Sequence, residues 1–169
     1  MARKIGMTLF IVATVVTGVF KTMYAESQGE SMFKKITTNL MVNDVQETLS
    51  YYRDILGFEL VGAVTYDQDY LPSPDPEMPL AFAILKRDEV QLMVQSQKSL
   101  SEDLPCFKGM AVGGSISLYI EVDQVADIYE SLKDKVEIAK DLHKTFYGME
   151  EFYIKDCNGY VLAFGSKVQ

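Results

Sequence analysis

One histidine, two cysteines and no basic run beyond the extreme N-terminus leave this chain of 169 residues poorly supplied for much of enzyme chemistry. His143 has no neighbouring Ser/Asp or Cys partner of a nucleophile pattern, and no glycine-rich phosphate loop is present. Cys106 and Cys157 have neither zinc-site spacing nor zinc-site company, so they read as free small side chains in connecting segments. Sixteen Lys and Arg against 24 Asp and Glu give a formal charge of −8. Phosphate binding needs clustered cations, so nucleic acid is excluded as a partner, and acidic lipid surfaces offer the folded part nothing. What remains is 48% hydrophobic, enough for one globular domain with a sizeable core.

Long apolar runs are also missing, with one exception. Met7 to Phe20 is an uncharged stretch of 14 residues behind Ala2-Arg3-Lys4, and Met23-Tyr24-Ala25 follows. That length is short for a bilayer span and right for a signal-peptide core. Residues 1–25 therefore read as a signal peptide or N-terminal anchor, which places the protein outside the cytoplasm or tethered to a membrane. A start at Met32 would instead leave it cytoplasmic.

The rest of the chain carries one pattern twice. Ile36 to Val42 alternates as a strand, and Asn43-Asp44-Val45 leads into a helix that closes at Leu56-Gly57-Phe58. Ser115 to Val122 alternates again, and Asp123-Gln124-Val125 leads into a second helix. Such self-similarity indicates two like half-domains that pair. In the first copy Asp44 is an N-cap with Glu47 three residues on, and Val45, Leu49, Tyr52 and Leu56 make one apolar face. Gly57 stands where a C′ glycine ends a helix. Strands follow over 58–65, 81–85 and 90–95. In the second copy Asp123 is the expected cap, and Val125, Tyr129, Leu132 and Val136 repeat the helical spacing. Strands begin near Ile138 and cover Glu151 to Lys155 and Tyr160 to Gly165, with Asn158-Gly159 as a hairpin turn. A short helix or loop near Leu100 to Met110 bridges the copies.

Between Asp67 and Pro79 lie four of the five prolines and four acidic residues. Missing backbone donors make this an extended excursion, read either as a lid with Tyr66 and Tyr70 turned inward or as a solvated hairpin extension.

Met41-Val42-Asn43-Asp44, Tyr51-Tyr52-Arg53-Asp54-Ile55-Leu56-Gly57-Phe58 and the segment Gly148 to Gly159 resemble the vicinal oxygen chelate proteins, across residues 33–167. That group includes glyoxalase I, extradiol dioxygenases and bleomycin-resistance proteins. The resemblance implies an α+β fold in which two βαβββ modules, 33–97 and 113–167, form a cup-shaped mixed sheet. In metal-dependent members one His, Glu or Gln comes from each of four strands, and the matching positions here are Thr37, Gln91, Ser117 and Ala163. Only Gln91 is of a ligand type, so no metal, cofactor or catalytic group is expected.

Alternation places Thr37 and Asn39, Gln91 and Met93, and Ser117 and Tyr119 on cup-facing sides, with Phe152 and Ile154 facing inward further on. His143 and Phe146 lie in the segment that lines the ligand groove of the bleomycin-resistance branch. The expected ligand-binding set is thus Thr37, Asn39, Gln91, Ser117, Tyr119, His143, Phe146 and Phe152. The reading is a metal-independent protein that binds or sequesters a small organic molecule, cationic or aromatic, as a homodimer. Two alternatives stay open: a glyoxalase-type lyase or isomerase with an atypical metal site, and a domain whose cup is filled by its own side chains.

Overall fold

Asp44 accepts a hydrogen bond from the Glu47 amide at 2.8 Å and so starts the first helix, α1, Val45–Asp54. The cap satisfies one of the amides that a helix start leaves without a partner. Val45, Thr48, Leu49 and Tyr52 form the buried side of α1, and Gly57 at φ 69° supplies the left-handed turn after it. The computed structural model describes residues 33–168. Thr37–Gln169 forms a compact unit, which is the unit considered below. The leader-like segment 1–25 and the alternative start Met32 lie outside the described residues.

The first module contains β1 (Thr38–Val42), α1, β2 (Glu59–Thr65), β3 (Tyr70–Leu71), β4 (Leu80–Arg87) and β5 (Val90–Ser96). Its sheet has the order β1-β5-β4-β2-β3, with β1 parallel to β5 and the other pairs antiparallel. Helix α2 (Gln97–Asp103) and a 3-10 turn at Pro105–Phe107 form the bridge. The second module contains β6 (Ser117–Glu121), α3 (Val125–Leu132), β7 (Glu137–Lys144), β8 (Met149–Lys155) and β9 (Val161–Lys167), in sheet order β6-β9-β8-β7. The fold is α+β with two mixed sheets. Among the described residues, no helix is long and apolar enough to cross a membrane.

Two expectations need correction. Asp123 does not cap α3; the cap position falls on Gln124, which makes no side-chain bond. The proline-rich excursion is not wholly irregular, because Tyr70–Leu71 adds a short strand against Ala63 and Val64. Its far end is fastened to α1, where the Gln46 amide donates to the Asp75 carbonyl at 2.8 Å. Tyr70 remains 63% exposed and its ring covers Gly62, where any Cβ would overlap the Tyr70 hydroxyl.

The register makes the duplication quantitative. Thr38 pairs with Leu92 as Leu118 pairs with Leu162, and α1 and α3 both begin at valine, Val45 and Val125. A shift of 80 positions therefore carries β1 and α1 onto β6 and α3, and a shift of 70 carries β5 onto β9. One face of each sheet enters a shared core that includes Leu40, Leu49, Leu85 and Val94 from one module and Val125, Leu132, Ile154 and Leu162 from the other.

Polar bonds join the modules where the β8–β9 turn meets α1 and β1. The Tyr52 hydroxyl donates to Asp156 Oδ2 at 2.7 Å, and the Tyr160 hydroxyl donates to the Met41 carbonyl at 2.8 Å. Asn158 Nδ2 donates to Thr48 Oγ1 at 2.9 Å. Asp156 Oδ1 also accepts from the amides of Asn158 and Tyr160 at 2.9 and 2.8 Å. Burial, and then the Asp156 carboxylate, push the Tyr52 phenol well above its ordinary pKa. Tyr52→Phe strips Asp156 Oδ2 of this donor in a buried site, at an expected cost of roughly 1–3 kcal/mol. Urea unfolding should show a lower midpoint with an unchanged slope; an unaltered midpoint would mean that this bond does not hold the modules together.

Candidate functional site

Strand alternation sets which side chains leave the core. On β8, Phe152 and Ile154 are fully buried, and Phe152 stacks on Phe164 at 5.0 Å and meets Tyr129 of α3 edge-on at 5.3 Å. They occupy the helix side of the second sheet. Glu151 and Tyr153 therefore point to the opposite side, the side expected to form the cup. Phe152 thus lies in the core, away from the cup side. The expected inward set on this strand was one residue out of phase, and a one-residue slip exchanges the two faces completely.

Glu151 is the centre of this face, 1% exposed. Its Oε1 accepts from the hydroxyls of Tyr119 at 3.1 Å and Tyr147 at 3.0 Å. Its Oε2 accepts from Tyr147 at 3.0 Å and Tyr153 at 2.7 Å. His143 sits opposite Glu151 in the β7–β8 register and stacks on the Tyr153 ring at 6.1 Å. Lys140 Nζ lies 5.7 Å from the centre of the same ring. Burial raises the carboxyl pKa, but hydrogen bonds from Tyr153, Tyr147 and Tyr119, with the charge of His143, outweigh it, so Glu151 ends below the ordinary value. The phenols respond in the opposite direction. Tyr119 is pushed up to about 12 by burial and by its bond to Glu151, and Tyr153 to about 12 chiefly by its own.

A glycine makes one of these bonds possible. Any Cβ at Gly165, the register partner of Glu151, would overlap the Tyr119 hydroxyl and press on Glu151 Cγ at 3.2 Å. Glycine here clears a path for a phenol to cross β9.

The other expected contacts disperse. Asn39 Nδ2 donates to Gln95 Oε1 at 2.8 Å, and Gln95 Nε2 continues to Ser99 Oγ at 3.0 Å and Asp103 Oδ2 at 2.6 Å. That relay fastens α2 to the first sheet, so Asn39 has a structural bond. Thr37 precedes β1 and is partly buried, as is Gln91 on β5. Ser117 is exposed beside Tyr119, and Phe146 is 99% exposed, in edge contact with Tyr147 at 5.0 Å. The structure brings together Ser117, Tyr119, His143 and Phe146 on the second module. Thr37, Asn39 and Gln91 stay with the first. Sequence reasoning placed Tyr147 with Phe146 in the groove segment but missed Glu151 and Tyr153. The alternation of Met149, Glu151 and Tyr153 was visible, but an acid between aromatics reads as the solvent side.

The register also relates the four metal-type positions to one another. Ala163 pairs with Tyr119 as Met93 pairs with Asn39, so the counterpart of Ala163 is Met93 rather than Gln91. Among the described residues no three His, Cys, Asp or Glu side chains converge. Both oxygens of the buried Glu151 already accept phenol protons. Thr, Ser, Ala and Met or Gln at the four positions do not make a donor set for a divalent ion.

Glu151 ties stability to pH. Because its folded pKa is depressed, its contribution is fully present above the unfolded value of 4.5 and is lost as pH falls through the lower folded value. Glu151→Gln should cost roughly 1–3 kcal/mol at neutral pH. The gap to the parent protein should narrow on the acid side of 4.5, as read by denaturant unfolding at both conditions. Gly165→Ala should destabilise the parent but have little effect in a Tyr119→Phe background. Equal losses in both backgrounds would show that the glycine serves something other than this bond.

The comparisons agree with this architecture. A glyoxalase/bleomycin resistance protein/dioxygenase from Nocardioides superposes with a TM-score of 0.62 at 16% identity, covering 89% of this chain and 94% of that one. A glyoxalase-related enzyme from Fulvimarina pelagi gives 0.57 at 18% identity, covering 80% and 89%. The bleomycin-binding protein of Streptomyces verticillus, solved with copper(II)-bleomycin, gives 0.51 at 19% identity, covering 82% and 98%. These likenesses are of fold. No curated protein matches the sequence. The sequence profile of the Glyoxalase/Bleomycin resistance protein/Dioxygenase superfamily matches residues 35–164, and the chain belongs to that superfamily.

Proposed function

We propose that this protein binds a small organic molecule without a metal, on the tyrosine-covered face of its second sheet, and that the ligand is aromatic or cationic. The observation that carries the reading is the buried Glu151 carboxylate beneath three phenols. Tyr119 and Tyr147 keep 51% and 56% of their surface exposed while their hydroxyls are committed to the carboxylate. A phenol that donates to an anion presents an electron-rich ring outward, and such rings attract cations and stack on aromatic ligands. Phe146 extends the apolar area, and Ser117 supplies a nearby hydroxyl. The Streptomyces verticillus relative, a bleomycin-binding protein, supports small-molecule binding within the superfamily. The proposal includes a homodimer. It also includes export or tethering through residues 1–25, which would put the ligand outside the cytoplasm.

A chelator-free preparation should carry no stoichiometric metal and gain no thermal stability from Ni²⁺, Zn²⁺, Mn²⁺ or Fe²⁺. One tightly held ion per chain, with a raised melting temperature, would overturn metal independence and favour a glyoxalase-type lyase. Titration with aromatic amines should perturb the NMR signals of Tyr119, Phe146 and Tyr147. The double variant Tyr119→Ala/Tyr147→Ala should weaken that binding by about tenfold or more. Unchanged affinity would remove the tyrosine face as the site.

A further inference from the structure

The turn contact that joins the modules has an open counterpart. Under the shifts relating the two modules, Tyr51, Tyr52 and Tyr160 correspond to Ser131, Leu132 and Val90. Where the first set fills the space between the β8–β9 turn and α1, the second leaves a cleft of about 540 Å³ between the β4–β5 turn and α3. Phe58, Ile120, Ile128, Leu132 and Phe164 give it an apolar floor. Asp88, Glu89, Glu121, Asp123 and Asp127 rim it, all exposed. The only lining cation is Arg87: Nη1 donates to the Leu56 carbonyl at 2.6 Å, and Nε lies 3.9 Å from Asp88 Oδ2.

Two features distinguish this from an ordinary solvated surface. Its volume falls in the range of small-molecule pockets, and the floor belongs to the shared core. The rim has also changed sign of chemistry relative to its filled twin. Glu121 and Asp123 stand where the twin has Met41 and Asn43, so neutral positions have become carboxylates. With Asp88 offset by Arg87, the carboxylates of Glu89, Glu121, Asp123 and Asp127 around a half-enclosed, low-dielectric floor focus a negative potential. The floor of the cleft lies on the other side of the second sheet from the tyrosine face, and Glu121 of its rim borders Tyr119. Ile120 and Phe164 line the cleft, whereas their strand neighbours Tyr119 and Gly165 serve Glu151.

We infer that the cleft between the β4–β5 turn and α3 is a second ligand site, for an organic cation with an apolar body. The body lies on Phe58, Ile128 and Phe164, and the charge is held at the rim by Glu121, Asp123 and Asp127. The inference does not rest on the tyrosine-face reading.

The test uses benzyltrimethylammonium and tetraphenylphosphonium as probes and benzenesulfonate as the anionic control, in calorimetric and NMR titrations of the full chain. Saturable binding of at least one cation is expected, with shifts at the amides of Ile120, Ile128 and Ser131 and an affinity that falls as salt is raised. Val90→Tyr/Ser131→Tyr restores the bulk of the filled twin and should weaken this binding about tenfold or more. Asp123→Asn/Asp127→Asn removes charge with little change of shape and should weaken it similarly, which keeps the test sound if the bulkier pair misfolds. Neither pair should alter shifts arising at Tyr119 and Tyr147, so failure of one site is distinguishable from failure of the other. Three outcomes overturn the inference: no saturable binding of either cation, cation binding that survives the charge-removing pair, or benzenesulfonate binding equally well.

Discussion

The buried carboxylate of Asp156 is the constraint on which the arrangement of the two modules depends. It stops the β8–β9 turn through two backbone amides and reaches across to Tyr52 of α1 with its other oxygen. Apolar contact between the modules supplies much of the free energy of their association, but such contact has little directional preference. Hydrogen bonds to a desolvated anion are directional, and each is worth about 1.5–3 kcal/mol. Three of them on one side chain, with Tyr160 on the Met41 carbonyl beside them, set the angle at which the second module meets the first.

Glu151 solves the same electrostatic problem differently. A carboxylate with 1% exposure carries a desolvation cost of several kcal/mol. Three phenol donors offset a cost of that size at about 1.5–3 kcal/mol each. The metal-dependent pattern of this fold places a divalent ion among side chains from four strands. Here three tyrosine hydroxyls donate to the buried acid. The consequence is chemical: both oxygens are occupied, so Glu151 is a poor base and a poor ligand. Its influence reaches solvent only through the rings it holds.

Much of the fold is legible in the sequence, and the reasons are local. Asp44 with Glu47, Gly57 after the helix, and Asn158-Gly159 between two alternating strands each announce a backbone conformation within a few residues. The capping role expected of Asp123 failed because the chain enters α3 at Gln124 instead. The site was less legible, since its identity depends on phase. Phe152 and Glu151 are equally plausible inward residues until one knows that α3 brings Tyr129 onto the Phe152 side. Asn39 illustrates a second limit. Its polarity signalled a pocket, but the partner that satisfies it, Gln95, lies 56 residues away, and α2 then builds upon it.

The duplicated architecture explains why two kinds of surface coexist in so small a domain. A pseudo-twofold pair of modules creates each contact twice, but one strong polar tie already orients the pair. The second copy of the contact is then free to lose bulk. Ser131, Leu132 and Val90 occupy the places of three tyrosines without exposing an unsatisfied buried group, since the missing hydroxyls and the missing carboxylate disappear together. Removing both partners of a buried hydrogen bond costs far less than removing one. Asymmetry between the halves therefore costs little at this contact, and the space it opens is bounded by residues of the shared core. Binding chemistry can develop there, and on the tyrosine face, without disturbing the side chains that maintain the fold.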